Sequence, residues 1–132
     1  MDETRRKILV VDDSGVMLRH IKEILQSNYD ICIAISGKMA LKQFEEQHPD
    51  LILLDYEMPE MNGKETFEAI RKLPGGEEIP IIYLTSMDDK KTILELMLQK
   101  PAGYILKPPN RIKLIESIET ALNTVNVNVL RV

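Results

Sequence analysis

The sequence predicts one α/β domain, a doubly wound (βα)5 unit in which a five-stranded parallel sheet carries helices on both faces. Five short apolar runs alternate with longer stretches of helical periodicity, an alternation typical of parallel strands joined by crossover helices. The runs are rich in β-branched residues and free of charged ones, as expected of strands that are buried on both sides. A chain of 132 residues has room for one such sheet and its core.

The five apolar runs are the predicted strands, and a polar residue directly follows each of them. They are Ile8 to Val11, Ile31 to Ile35, Leu51 to Leu54, Ile81 to Leu84 and Tyr104 to Leu106. The second run contains the single cysteine, Cys32, which cannot form a disulfide within the chain. We expect Cys32 to be a small buried hydrophobe.

The segments between the runs have the caps and the periodicity of helices. Ser14 precedes a segment whose apolar residues recur at i, i+4, i+7 and i+8, which places them on one helical face. The other predicted helices run from Ser36 to about Gln47, from Gly63 to before Pro74, from about Asp88 to Leu98, and from Asn110 to Val125. Residues 1–125 are therefore the predicted domain, and 126–132 are a short C-terminal tail.

Composition excludes several functional classes. The net charge of -4 and the scattered Lys and Arg residues argue against a surface built to neutralise nucleic-acid phosphates. No apolar run is long enough to span a bilayer, and the polar N-terminal segment lacks the apolar stretch of a signal peptide. These features predict a cytoplasmic protein that binds neither nucleic acid nor membrane directly.

Polar residues at the ends of four predicted strands are the candidate site. Asp12 and Asp13 follow the first strand, Asp55 the third, Thr85 the fourth and Lys107 the fifth. Taken alone, an Asp at a strand end is commonly a turn or cap residue. Because the carboxyl ends of parallel strands share one edge of the sheet, however, we expect all five side chains to line a single crevice.

The chemistry of these groups indicates metal-assisted phosphoryl transfer. Three neighbouring carboxylates repel one another unless a cation lies among them, and Mg²⁺ prefers hard oxygen ligands of this kind. With Mg²⁺ and Lys107 offsetting the negative charge, a phosphoryl group could approach Asp55. The Asp55 carboxylate could then attack phosphorus to form an acyl phosphate.

The motifs resemble those of the receiver domain of two-component response regulators, and the resemblance covers nearly the whole chain. It rests on the segments Ile8 to Asp13, Leu54 to Pro59, Leu84 to Ser86 and Tyr104 to Pro108, and on Ala34 to Leu41, which leads into the second helix. The resemblance implies a flavodoxin-like fold with strand order 2-1-3-4-5. It also implies a chain that is a phosphoacceptor switch and not an enzyme acting on a separate substrate.

The resemblance also implies a role for each site residue. Asp55 would be the phosphoacceptor, and the metal would be held by Asp12, Asp13, Asp55 and the backbone carbonyl of Glu57. Lys107 would pair with the phosphoryl group, and the Lys107–Pro108 peptide bond would be cis. Thr85 and Tyr104 would be the switch residues.

Two short segments depart from the usual receiver pattern. Lys100-Pro101-Ala102-Gly103 precedes the switch aromatic, where many receivers have Gly-Ala, and Ser86 follows Thr85, where Ala or Gly is usual. None of the residues expected to carry the chemistry is missing.

The expected partners are a sensor histidine kinase or a histidine phosphotransfer protein as the donor, and a downstream effector or a second copy as the reader. In the fourth helix, the five apolar residues from Ile93 to Leu98 spread over about 200° of the helix, wider than one sheet-facing stripe requires. Part of this surface is therefore expected to be exposed and to belong to an output face formed by helix four, strand five and helix five. A complete single-domain regulator and a piece of a longer one both fit the sequence.

Three alternatives fit less well. A haloacid dehalogenase-type phosphotransferase or phosphatase would carry an Asp-x-Asp pair, which the segments around Asp12 and Asp55 lack. A flavin or nucleotide carrier would have a Gly-rich or Ser/Thr-rich phosphate loop after the first strand, where this chain has acidic side chains. A receiver-shaped binding module without phosphorylation would be expected to lack one of the chemical groups.

Overall fold

The computed structural model describes the backbone of residues 5–130 and the side chains of residues 5–123. Strands and helices alternate strictly along this part of the chain. The strands are β1 (Lys7–Val11), β2 (Asp30–Ala34), β3 (Leu51–Leu54), β4 (Ile81–Thr85) and β5 (Gly103–Leu106). The helices are α1 (Gly15–Leu25), α2 (Gly37–Gln47), α3 (Gly63–Arg71), α4 (Lys90–Met97) and α5 (Arg111–Leu130).

The five strands form one parallel sheet in the order β2-β1-β3-β4-β5, which confirms the predicted α/β class and strand order. Successive residues of each central strand point to opposite faces of the sheet. Ile8 and Val10 belong to a core cluster with residues of α1 and α5, whereas Leu9 and Val11 belong to a second cluster with residues of α2, α3 and α4. Both faces of the sheet are therefore covered, as in a doubly wound fold.

The two edge strands are less buried than the sequence suggested. The prediction of burial on both sides holds for β3 and β4, but β2 is only partly buried and its Ile33 is 42% exposed. Cys32, expected to be a small buried hydrophobe, is likewise only partly buried. The reason is topological, because an edge strand has a neighbouring strand on one side only and its apolar composition does not reveal this position.

Side-chain caps fix the starts of helices that follow the carboxyl ends of the strands. Ser14 accepts a hydrogen bond from the Met17 N–H at 3.2 Å, and Ser36 accepts one from Met39 at 3.1 Å, as predicted. The helix expected from about Asp88 begins at Lys90 instead, because the side chain of the preceding Asp89 caps it. Capping of this kind satisfies backbone N–H groups that have no partner inside the helix.

The last helix extends further than the predicted domain boundary. α5 runs to Leu130, so residues 126–130 of the predicted tail continue the helix, and residues 131 and 132 lie outside the described part of the chain. Among the described residues, no helix is both long enough and apolar enough to span a membrane.

Candidate functional site

The carboxyl ends of β1 and β3 bring three aspartates together. Val11 and Leu54 are paired in the sheet, and the Asp55 N–H donates to the Val11 carbonyl at 3.0 Å, so the residues that follow both strands are neighbours. One carboxylate oxygen from each of Asp12, Asp13 and Asp55 lies within 4.8 Å of the others. Asp12 and Asp55 are buried, whereas Asp13 is exposed. The predicted acidic cluster therefore exists, and it opens to solvent beside Asp13.

Lys107 enters the same crevice from the end of β5. Its Nζ donates to an oxygen of Asp12 and lies 3.6 Å from an oxygen of Asp55. The N–H of Lys107 also donates to the carbonyl of Thr85 at 2.9 Å, which ties the end of β5 to the end of β4. The Lys107–Pro108 peptide bond is cis, as the resemblance implied.

The electrostatics of the cluster favour a bound cation. Burial raises the pKa of Asp55, hydrogen bonding by Thr85 lowers it, the Asp12 carboxylate raises it, and Lys107 lowers it, with a net upward shift. Burial and the neighbouring Asp12 carboxylate therefore outweigh the Lys107 ammonium and the hydrogen bonds, so the charged form of Asp55 is only partly stabilised by the protein. Hard oxygen donors within a few ångströms of each other, with one of them open to water, suit a divalent ion that keeps part of its hydration shell.

A backbone N–H group also orients the buried carboxylate of Asp12. The Ser14 N–H donates to Oδ1 of Asp12 at 2.9 Å, while Oδ2 of Asp12 accepts from Lys107. Both oxygens of Asp12 are therefore already engaged by protein donors. This arrangement was not foreseen from the sequence, which gave no signal beyond the position of Ser14 at the start of a helix.

Thr85 and Tyr104 both contact the loop between β4 and α4. Thr85 is fully buried, and its hydroxyl oxygen accepts a hydrogen bond from the Met87 N–H at 3.3 Å. The hydroxyl of Tyr104 donates to the carbonyl oxygen of the same Met87 at 2.5 Å. Partial burial and the negative charge of Asp55 raise the pKa of Tyr104. Met87 thus joins the two predicted switch residues, a connection that spacing alone could not show.

The second core cluster also contains a polar link for which the sequence carries no signal. The ring of Tyr83 on β4 stacks on Phe67 of α3 with 5.7 Å between centroids and lies 6.0 Å from the ring of Tyr104. The Tyr83 hydroxyl donates to the side chain of Gln99 at 2.5 Å, and Gln99 in turn donates to the Lys64 carbonyl at 3.1 Å. This network joins the chain just after α4 to α3.

The chain matches a known family over most of its length. The family model described as the response regulator receiver domain matches residues 8–119. A solved CheY-like response regulator receiver domain protein from Methanospirillum hungatei JF-1 has a TM-score of 0.86 at 28% identity, covering 94% of this chain and 98% of that one. The chain therefore belongs to the response regulator receiver domain family of two-component systems.

Its relatives at the sequence level are longer proteins. The transcriptional regulatory protein YdfI of Bacillus subtilis strain 168 is 33% identical over 119 residues, which make up 88% of this chain and 54% of that protein. A protein-glutamate methylesterase/protein-glutamine glutaminase of Clostridium acetobutylicum is 36% identical over 126 residues, covering 92% of this chain and 36% of that protein. The chain thus spans about half or less of the length of these relatives. Neither the family match nor these relatives support the dehalogenase-type alternative.

Proposed function

We propose that Asp55 accepts a phosphoryl group from a histidine kinase or a histidine phosphotransfer protein in a reaction that requires Mg²⁺. The observation that carries this proposal is the cluster of Asp12, Asp13 and Asp55 with the Lys107 ammonium 3.6 Å from Asp55. Family membership supports it, because a receiver domain is a phosphoacceptor switch. The receiver unit in this proposal is 1–125, which contains the family match over 8–119.

In the proposed reaction, a carboxylate oxygen of Asp55 forms a bond to phosphorus while the bond from phosphorus to the donor breaks. The side chains of Asp12, Asp13 and Asp55 and the carbonyl of Glu57 would hold Mg²⁺. The ion would supply positive charge for the phosphoryl oxygens. Lys107 would add a second positive charge, and the Thr85 hydroxyl would donate to a phosphoryl oxygen. Positioning and charge stabilisation of this kind provide most of the catalysis in phosphoryl transfer.

The proposed switch acts through Met87. A Thr85 hydroxyl drawn to a phosphoryl oxygen would give up the hydrogen bond that it accepts from the Met87 N–H. The loop before α4 would then rearrange, and the Tyr104 hydroxyl, which is bonded to the Met87 carbonyl, would move with it. A local change of charge would thereby bias two arrangements of the loop and of α4.

The proposed output surface is the face formed by α4, β5 and α5, as a docking site for an effector or a second copy. Leu94 and Leu98 are 60% and 82% exposed, which agrees with the wide apolar arc predicted for this helix. A groove of about 380 Å³ is lined by residues of α4, β5 and α5 and of the segment that leads into α5. Exposed apolar surface of this kind commonly marks interaction sites.

The remaining parts of the proposal concern the whole protein. The relatives named above carry either a transcriptional regulatory or a methylesterase name, so the longer proteins in which receivers of this kind occur differ in their output. For the described domain we propose a signalling role without a separate substrate. The cytoplasmic location stays a prediction.

Mass spectrometry of the intact protein tests the phosphoacceptor. With Mg²⁺ and acetyl phosphate, the parent should gain one phosphoryl mass, and Asp55→Asn should gain none. Asp88→Asn, which changes an exposed carboxylate in the loop before α4, is the matched control and should gain one as the parent does. Equal uptake by Asp55→Asn, or uptake that persists when Mg²⁺ is chelated, would contradict the proposal.

Hydrogen exchange tests the switch and the output face. Beryllofluoride, which mimics a phosphoryl group, should change protection mainly from Ser86 to Tyr104. Light scattering on the same samples shows whether the mass doubles. Changes confined to α1 and α2 would contradict the output face, whereas an unchanged mass would contradict the dimer alone.

A further inference from the structure

Gly63, the first residue of α3, lies directly against the backbone of Asp55. Its N–H donates to the Tyr56 carbonyl at 2.7 Å, so the loop that leaves β3 closes on itself at this point. A Cβ atom at position 63 would lie 2.7 Å from Tyr56 Cα and 3.1 Å from the Asp55 carbonyl carbon, and closer still to the Asp55 carbonyl oxygen. All three are backbone atoms, which no change of side-chain rotamer could move away.

Both sides of this contact are anchored to the rest of the domain. On one side, α3 is anchored by its buried residues Phe67 and Ile70 and by the capping box formed by Asn62 and Glu65. On the other side, Asp55 is anchored to β1 through the hydrogen bond from its N–H to Val11. A side chain at position 63 would therefore displace the Asp55–Tyr56 peptide, tilt the start of α3, or do both.

We propose that Gly63 is a positioning residue for the phosphoacceptor, an inference that rests on the proposed function of Asp55. Without a side chain, the start of α3 holds the Asp55–Tyr56 peptide in place. That peptide carries the Asp55 carboxylate on one side and leads to the Glu57 carbonyl on the other. Both are proposed metal ligands, so a shift of this peptide moves two ligands together. Residues that orient metal ligands commonly alter metal affinity when they are changed.

The first two helices provide matched controls, because each of them begins with glycine, as α3 does. A Cβ at Gly15 would meet nothing within 4 Å, although this residue lies beside the acidic pair. A Cβ at Gly37 would meet the side chains of Met61, at 2.9 Å, and Thr66, closer still, and neither of these belongs to the proposed ligand set. Gly37→Ala therefore crowds the packing of α2 on α3 without pressing on Asp55.

The test compares Mg²⁺ affinity among the parent, Gly15→Ala, Gly37→Ala and Gly63→Ala, by calorimetric titration of each folded protein. Gly63→Ala should weaken Mg²⁺ binding by about tenfold or more. Gly15→Ala and Gly37→Ala should stay close to the parent, even where thermal unfolding shows that Gly37→Ala is destabilised. Unchanged affinity in Gly63→Ala would overturn the proposal, and so would an equal loss in Gly37→Ala.

A second measurement uses the parent alone, in case Gly63→Ala does not fold. If the closed loop is the form that binds Mg²⁺, exchange of the Gly63 amide should slow about tenfold when Mg²⁺ is at ten times its dissociation constant. An unchanged Gly63 rate in a parent that binds Mg²⁺ would contradict this inference alone. A parent that neither binds Mg²⁺ nor takes up a phosphoryl group would contradict the proposed function, and this inference with it.

Discussion

Removing the ammonium of Lys107 should destabilise the metal-free domain at neutral pH. Its Nζ lies 3.6 Å from a carboxylate oxygen of Asp55, and at an effective dielectric constant of 20 two unit charges at that distance attract by about 4.6 kcal/mol. The Lys107 side chain is 13% exposed and Asp55 can take up a proton instead, so the measured loss is smaller. For Lys107→Ala we expect a fall of about 2 to 3 kcal/mol in the free energy of unfolding.

The sign of the pH dependence follows from the pKa of Asp55. Lys107 lowers that pKa, so its removal raises the pKa further above the unfolded value. A carboxyl group with a raised folded pKa favours folding in its neutral form, and this contribution is lost as the pH rises through the folded pKa. The penalty of Lys107→Ala should therefore shrink as the pH is lowered and Asp55 becomes neutral in both proteins.

Urea unfolding in the presence of a chelator, at neutral and mildly acidic pH, measures this penalty. Lys42→Ala, which removes an exposed lysine of α2, is the matched control and should change stability little. Added Mg²⁺ should stabilise Lys107→Ala more than the parent, because the ion no longer competes with an ammonium. A variant as stable as the parent, or a loss that is the same at both pH values, would refute this account of the site.

Three further predictions concern single side chains. In the metal-free domain, Asp55→Asn should raise the urea midpoint at neutral pH, because burial raises the pKa of Asp55 and disfavours its charged form. This gain in stability should vanish as the pH falls and the Asp55 carboxyl of the parent becomes protonated, and a gain independent of pH would contradict the prediction. Tyr83→Phe should lower the free energy of unfolding by about 1 kcal/mol and speed hydrogen exchange in the last turn of α4, because the Gln99 side chain loses the hydrogen bond that the Tyr83 hydroxyl donates. Unchanged exchange would show that this hydrogen bond does not hold the end of α4. Met87→Glu should shorten the lifetime of the acyl phosphate by about twofold or more, since a carboxylate can orient an attacking water and a thioether cannot; an unchanged decay rate would remove that role.

Much of the fold was predictable because strands that are buried on both faces consist almost entirely of apolar residues. The runs that became β3 and β4 are continuously apolar and were placed to within one residue. The parallel order of the strands then brought Asp12, Asp55 and Lys107 to one edge, as expected. What composition could not reveal was the exposure of β2, since an apolar edge strand has the same sequence character as a central one.

Details of the site that depend on tertiary contacts were beyond the sequence. The hydrogen bond from the Lys107 ammonium to Asp12 depends on side-chain geometry at the shared edge of β1 and β5, which the positions of the two residues in the sequence do not give. The shared contact of Thr85 and Tyr104 with Met87 requires the loop geometry before α4. Gly63 gave no signal except its identity, because the close approach of two backbones leaves no pattern of hydrophobicity or charge.

A crystal structure of the protein with Mg²⁺ and beryllofluoride would show whether Asp55 is the phosphoacceptor of a metal-dependent site. We expect beryllium to be bonded to a carboxylate oxygen of Asp55, with the fluorides contacting the Thr85 hydroxyl and Lys107. We also expect Mg²⁺ to lie among Asp12, Asp13, Asp55 and the Glu57 carbonyl. Beryllofluoride bound elsewhere, or bound to Asp55 without any metal in the acidic cluster, would contradict the account.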